Sequence, residues 1–139
     1  MARIVQKFGG TSIADLAQIR NAAERVKRSV NSGNEVAVVV SAMSGTTSQL
    51  ISWTQELCDS PDPYEYDVVV STGEQVTVGL MALAIQKLGI QARSWLGWQL
   101  PIRTDPLHAR AHIVEIETKQ VLRSLSKGVV AVVPGFQGV

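Results

Sequence analysis

A single cysteine, Cys58, gives the 139-residue chain no intrachain disulfide, and the expected setting is a reducing compartment such as the cytoplasm. Nor is there a Lys/Arg block long enough to follow a nucleic-acid backbone, and formal net charge is only +1, so nucleic acid is not an expected partner. Small anions stay open, because a few placed donors hold them. The most apolar runs, 35–42 and 128–134, fall far below the ~20 residues that a membrane span needs, and the start Met1-Ala2-Arg3 lacks the layout of a secretion signal. Membrane insertion is therefore not expected. Internal repeats and low-complexity segments are absent. So are the Gly-x4-Gly-Lys-Ser/Thr loop, the Rossmann glycine pattern and His-Glu-x-x-His. His108 and His112 stand four apart without such a carboxylate pattern, and no metal site is expected of them.

What remains is an ordinary globular composition, 45% hydrophobic and 18% charged, in a length that suits one domain or part of one. Residues 2–6 read as a buried strand running into Gly9-Gly10. From about residue 12 to 30, Ile13, Leu16, Ile19, Ala23, Val26 and Val30 recur at helical spacing, with charges opposite. Asn31-Ser32-Gly33-Asn34 breaks that helix, and the continuous apolar run 35–40 fits a fully buried strand. Strand, glycine loop, helix and strand make a right-handed βαβ unit with parallel strands, hence α/β architecture. Further on, 49–58 reads as helix. Residues 64–88 read mostly as helix, punctuated at Gly73 and stopped by Gly89, although 67–70 alone has strand propensity. A strand at 90–96, a loop at 97–110, a short strand at 112–116, a helix at 118–126 and a buried strand at 128–134 complete the chain.

Three segments carry candidate chemistry. In Lys7-Phe8-Gly9-Gly10-Thr11-Ser12, paired glycines after a strand let backbone N–H groups approach an anion, the following helix would offer its positive end, and Lys7 adds a charge. A plain strand-to-helix turn uses the same residues. Ser41-Ala42-Met43-Ser44-Gly45-Thr46-Thr47 follows the second strand, so both loops lie at one edge of a parallel sheet and are able to share an anion. The alternative is a hydroxyl-rich helix cap. Ser71-Thr72-Gly73-Glu74 places a carboxylate where it could receive an ammonium group, or merely stand near a helix start.

Together with Ser71-Thr72-Gly73-Glu74-Gln75, Gly135-Phe136-Gln137-Gly138 and the run from Gly97-Trp98-Gln99 to Arg103-Thr104-Asp105, these motifs, in this order, closely resemble the aspartokinases of the amino acid kinase family. The resemblance covers essentially the whole chain. It implies an αβα three-layer sandwich with a mainly parallel central sheet, the amino acid kinase or carbamate kinase-like fold, present here in incomplete form. Residues 1–139 would be the amino-terminal part of the catalytic domain, without the carboxyl-terminal nucleotide-binding part or ACT regulatory domains. The implied reaction is ATP-dependent phosphorylation of the L-aspartate β-carboxylate to 4-phospho-L-aspartate, at the head of lysine, threonine and methionine synthesis.

By that resemblance Lys7, Phe8, Gly9 and Gly10, assisted by Ser41, bind the phosphates of ATP, which enters with Mg²⁺, and Lys7 is the catalytic residue. Thr47 and Glu74 bind aspartate, Glu74 through its α-ammonium group, while Gly45 and Thr46 shape the same loop. The chemistry agrees with this inventory. A β-carboxylate of pKa ~3.9 is already an anionic nucleophile at neutral pH and needs no general base. It needs alignment and charge neutralisation around a loose in-line transfer. A homo-oligomer is compatible with the resemblance. The reading from a different class is a non-catalytic module that binds small anions or associates through an open sheet edge, and the isolated 139 residues are expected to turn over ATP negligibly. Cys58 is expected to be a partly buried helix residue without nucleophilic character. Trp95 and Trp98 are expected to serve packing or an interface.

Overall fold

The computed structural model describes residues 1–107 and 110–136. The elements are β1 (Arg3–Phe8), a 3-10 turn (Gly10–Ile13), α1 (Leu16–Asn31), β2 (Glu35–Val40), α2 (Thr46–Leu57), α3 (Pro63–Lys87), β3 (Ala92–Ser94), β4 (Ile102–Thr104), β5 (Ile113–Ile116), α4 (Lys119–Leu125) and β6 (Val130–Pro134). Four strands form one parallel sheet in the order β1-β2-β6-β3, and β4 pairs antiparallel with β5 in a separate ribbon. This is the mainly parallel sheet flanked by helices that the resemblance implies.

One face of the sheet is closed by α1 and α3. Ile19, Ala22, Ala23 and Val26 of α1 and Val78, Met81, Ala82 and Ile85 of α3 pack on Val36, Val38, Val40, Val130 and Val132. The other face is closed most fully over β6, where Val121 and Leu125 of α4 join Trp95, Leu100 and Ile102 against Ala131 and Val133. Thus β6 is buried at every position, but β2 alternates buried with half-buried residues. The continuous apolar run of β2 had pointed to burial on both faces. Ala37 and Val39 are instead only half covered, because the second helical layer thins out toward β1, where Val5 is 67% exposed.

Three local expectations are corrected. Gly73 does not interrupt α3. The helix begins where the Asp62 carboxylate accepts from the Tyr64 and Glu65 N–H groups, at 2.9 and 3.3 Å, with Pro63 opening the first turn, and it continues through both Gly73 and the 67–70 run. Burial of Val70 on the helix's inner face overrides the strand propensity of Val68-Val69-Val70. α3 is also long and apolar enough, by length and composition, to cross a membrane, but its buried side chains are part of the core described above. Secondly, the 97–110 loop contains β4. Thirdly, the glycine pair leads into a 3-10 turn. α1 starts only at Leu16, and its first turn is capped by its own Asp15, whose carboxylate accepts from Gln18 N–H at 2.8 Å. One N–H of the first turn of α1 is therefore capped by the helix's own Asp15, and the 3-10 turn stands between Gly9-Gly10 and the start of α1.

Candidate active site

Parallel strands deliver their following loops to one edge. Here those loops are Gly9-Gly10 after β1, 41–45 after β2 and Gly135-Phe136 after β6. Backbone hydrogen bonds join them. Ser41 N–H donates to the Phe8 carbonyl at 3.2 Å, and Gly135 N–H to the Val40 carbonyl at 2.9 Å. A Cβ on Gly10 would meet the Ala42 carbonyl oxygen at 3.4 Å, so the first two loops lie against each other. Gly45, at φ +80°, turns the second loop in the left-handed region into the start of α2, a conformation that favours glycine.

Glu74 reaches this edge from the middle of α3. One residue earlier, Gly73 is buried, and a Cβ there would lie 3.1 Å from Ala42 Cβ, 3.2 Å from Thr46 Cγ2 and 3.3 Å from Leu50 Cδ1. The missing side chain is what lets α3 approach the loop after β2 so closely. The half-buried Glu74 carboxylate accepts from the Phe136 N–H and so ties α3 to the turn after β6. Burial pushes its pKa up. The backbone N–H groups of Phe136, Gly135 and Ala42 and the charge of Lys7 pull the other way without reversing the shift.

Thr47, Ile51, Tyr66, Val70, Glu74 and Phe136 line a cavity of about 220 Å³. That is below the roughly 300–1,000 Å³ typical of pockets for drug-sized ligands, which suits a smaller molecule. It has one carboxyl group, the two hydroxyl-bearing residues Thr47 and Tyr66, and an otherwise apolar surround. Thr47 and Glu74, far apart in sequence, are thus brought to one cavity. Lys7 lies exposed near the end of β1, within electrostatic reach of Glu74. Phe8 places its ring in the core at 7% exposure, so only its backbone stands at the edge. Ser41 is half-buried, Gly9 has open space where a Cβ would be, and Thr46 packs its methyl toward Gly73.

The model of the amino acid kinase family matches residues 2–139. The chain belongs to this family. Among curated relatives, the aspartate kinase Ask_LysC of Stutzerimonas stutzeri is 48% identical over 139 residues, which is all of this chain and 34% of the relative. Among solved structures, the aspartate kinase from Synechocystis aligns with a TM-score of 0.81 and 40% identity over 97% of this chain and 22% of its own. Aspartokinase III of E. coli, solved in complex with aspartate and ADP, aligns at 0.82 and 22% identity over 99% of this chain and 41% of its own, a likeness of fold. The chain spans about a third of the length of the curated relatives it matches.

In this member of the amino acid kinase family, Ile51, Tyr66, Val70 and the wall formed by Phe136 are not among the residues that the sequence motifs singled out for the site. The signal was present. Tyr66, Val70 and Glu74 are spaced by four, as are Thr47 and Ile51, so each set lies on one helical face. A helix divided at Gly73 conceals the first set. Residues set aside earlier fall elsewhere. Cys58 is exposed just beyond α2 and not partly buried in it. Trp95 is buried and Trp98 is 68% exposed. The Arg103 guanidinium pairs with Glu117, and His112 Nδ1 lies 2.8 Å from Asp105 Oδ2. Among the described residues no three His, Cys, Asp or Glu side chains form a metal cluster, and His108, Gln137 and Gly138 lie outside the described residues.

Proposed function

We propose that this chain forms the aspartate- and phosphate-facing part of an aspartate kinase, which transfers the γ-phosphoryl group of Mg·ATP to the β-carboxylate of L-aspartate. In that reaction one β-carboxylate oxygen attacks the γ-phosphorus, the bond to the bridging oxygen breaks, and ADP leaves with that oxygen. No proton has to be removed from the nucleophile, which accords with a cavity whose ionisable group is a carboxylate and not an imidazole. Mg²⁺ arrives with the nucleotide, held mainly by its phosphates.

The observation that carries the reading is the meeting of Thr47 and Glu74 in one small cavity at the carboxyl edge of the sheet, beside the loop of Lys7, Gly9 and Gly10. Glu74 would receive the α-ammonium group. A buried carboxylate with a raised pKa is a poor place for an anion, and a cation beside it relieves that cost. Thr47 would donate to the amino acid, while Lys7, the backbone of 8–10 and Ser41 would offset the charge gathered between carboxylate and phosphate. Curated relatives at 42–48% identity carry the name aspartate kinase or aspartokinase, and this supports the choice of amino acid. The same reading places the protein at the entry to lysine, threonine and methionine synthesis in the cytoplasm.

Calorimetric titration with L-aspartate, together with hydroxylamine trapping of the acyl phosphate, tests this. Binding of L-aspartate but not L-glutamate or D-aspartate is expected, and it should be lost in Glu74→Ala. In a polypeptide of the relatives' length, Lys7→Ala should depress hydroxamate formation at saturating aspartate far more than it raises KM for aspartate. Absence of aspartate binding, or Lys7→Ala acting on KM alone, refutes the assignment. The 139 residues alone should form hydroxamate at a negligible rate.

A further inference from the structure

Along α3 the cavity wall runs Tyr66, Val70, Glu74, so a phenol marks one end of the stripe and a carboxyl group the other. About 12 Å of helix axis separates their Cα atoms, with Val70, 6% exposed, between them. Other hydroxyls of the two helices that wall the cavity donate back to their own backbone. Ser71 donates to the Val68 carbonyl, Thr72 to Val69, Thr77 to Gly73 and, on α2, Thr54 to Ile51. Tyr66 cannot do this, because its hydroxyl stands beyond a rigid ring. Among the described residues nothing pairs with that hydroxyl, although the side chain is half-buried and such a phenol ordinarily has a partner.

We propose that Tyr66 is a specificity-determining residue of this cavity, its hydroxyl donating to the α-carboxylate of the bound amino acid. This rests on the reading of the site given under Proposed function. L-Aspartate brings one ammonium group and two carboxylates. Glu74 would take the ammonium group, and the loop of Lys7, Gly9 and Gly10 would face the β-carboxylate. The α-carboxylate shares its carbon with the ammonium group and so enters the same cavity, where a carboxylate withdrawn from water needs hydrogen-bond donors. Among the described residues no Lys, Arg or His side chain lines the cavity, and the side-chain donors in its wall are the hydroxyls of Thr47 and Tyr66. A phenol, with a pKa of ~10, is the more acidic of the two and makes the stronger charge-assisted bond to a carboxylate.

Such a contact also fixes handedness. Ammonium group, α-carboxylate and side chain leave one carbon atom, so holding them at Glu74, at Tyr66 and beside Lys7 admits one enantiomer, and the mirror image satisfies only two of the three. A tyrosine that merely completes the wall would work equally well as phenylalanine, which keeps the ring and removes the donor. The two roles therefore separate in a single substitution.

Calorimetric titration of wild type and Tyr66→Phe with L-aspartate and with its α-amide reads the outcome. Tyr66→Phe should bind L-aspartate about tenfold more weakly than wild type does, but the α-amide, a neutral acceptor, no more than about threefold more weakly. In a polypeptide of the relatives' length the substitution should raise KM for L-aspartate about tenfold and leave kcat within about twofold. If Tyr66→Phe fails to fold, wild type still decides. Saturating L-aspartate should protect Tyr66 from acetylation by N-acetylimidazole, read by peptide mass spectrometry with the exposed Tyr64 as internal reference. Unchanged L-aspartate affinity in Tyr66→Phe overturns the proposal, as do equal losses for L-aspartate and the α-amide, or Tyr66 acetylated as fast with L-aspartate as without it. Each of these leaves aspartate binding through Glu74 standing. A wild type that does not bind L-aspartate removes the reading of the site itself, and the role of Tyr66 with it.

Discussion

At the scale of single residues, Glu74 shows a conflict between folding and function. Burial raises its pKa above the ordinary 4.5, so in the window above that value the folded chain holds a proton that the unfolded chain has released. Stability contributed by this residue therefore falls as pH rises through the window, and the ionised carboxylate is a net cost at neutral pH. Glu74→Gln should be more stable than wild type at pH 7, and the advantage should close below about pH 4.5, as denaturant titrations at several pH values would show. The same variant should bind L-aspartate on the order of ten- to a hundredfold more weakly, since a hydrogen bond to a charged group contributes about 1.5–3 kcal/mol. Equal pH slopes for the two proteins would sink the account. Gly73→Ala separates stability from binding in another way. Alanine gains about 1 kcal/mol of helix propensity, but its Cβ must push Ala42, Thr46 and Leu50 aside by a few tenths of an ångström, an overpacking cost of about 1–3 kcal/mol. Melting temperature should fall by only a few degrees while aspartate affinity drops, because the displaced atoms carry Thr47 away from Glu74. Of this site, Thr47 and Glu74 were legible in the ordered motifs. Tyr66 and Val70 were not, because nothing local says that a glycine in mid-helix is a contact surface and not a break.

Elements were legible wherever period and punctuation agreed, as in α1, whose spacing and closing Asn31-Ser32-Gly33-Asn34 recur in the structure. They were misread where one residue served two elements. The sequence reads as helix over 49–58 and again over 64–88, leaving Asp62-Pro63 to the break between them, yet that pair starts α3, with the Asp62 carboxylate satisfying two N–H groups of the first turn. Asp62→Ala should cost about 0.5–2 kcal/mol and lower the melting temperature by a few degrees. Asp62→Asn, which keeps the acceptor, should recover most of it. A drop in Asp62→Asn as large as in Asp62→Ala would show that charge at the helix start matters more than the cap. The burial of β2 was misjudged for a different reason. A run of Glu35-Val-Ala-Val-Val-Val40 states that both faces tolerate water poorly, not that the chain supplies both covers. Likewise β4 has three residues and becomes a strand only through pairing with β5, a contact that lies outside any local window.

Across the whole molecule, the order β1-β2-β6-β3 decides what is covered. β6, last in sequence, is inserted between β2 and β3, so both its sides carry ladder bonds and both its faces are packed. No sequence window contains that insertion, although parallel strands at one edge were foreseeable from the first forty residues. β1 lies at the margin. Ile4, Gln6 and Phe8 turn toward the α1 side, where Gln6 Nε2 donates to Ser29 Oγ at 2.7 Å, while Val5 turns to the face that α4 does not reach. Val5→Lys should therefore change stability by less than about 0.5 kcal/mol, as at an ordinary surface position. Val132→Ala, at a site with 0% exposure between the sheet and α3, should cost about 2 kcal/mol for the lost methyl groups and the cavity they leave. A loss of stability in Val5→Lys as large as in Val132→Ala, read by denaturant titration, would show that the outer face of β1 is covered.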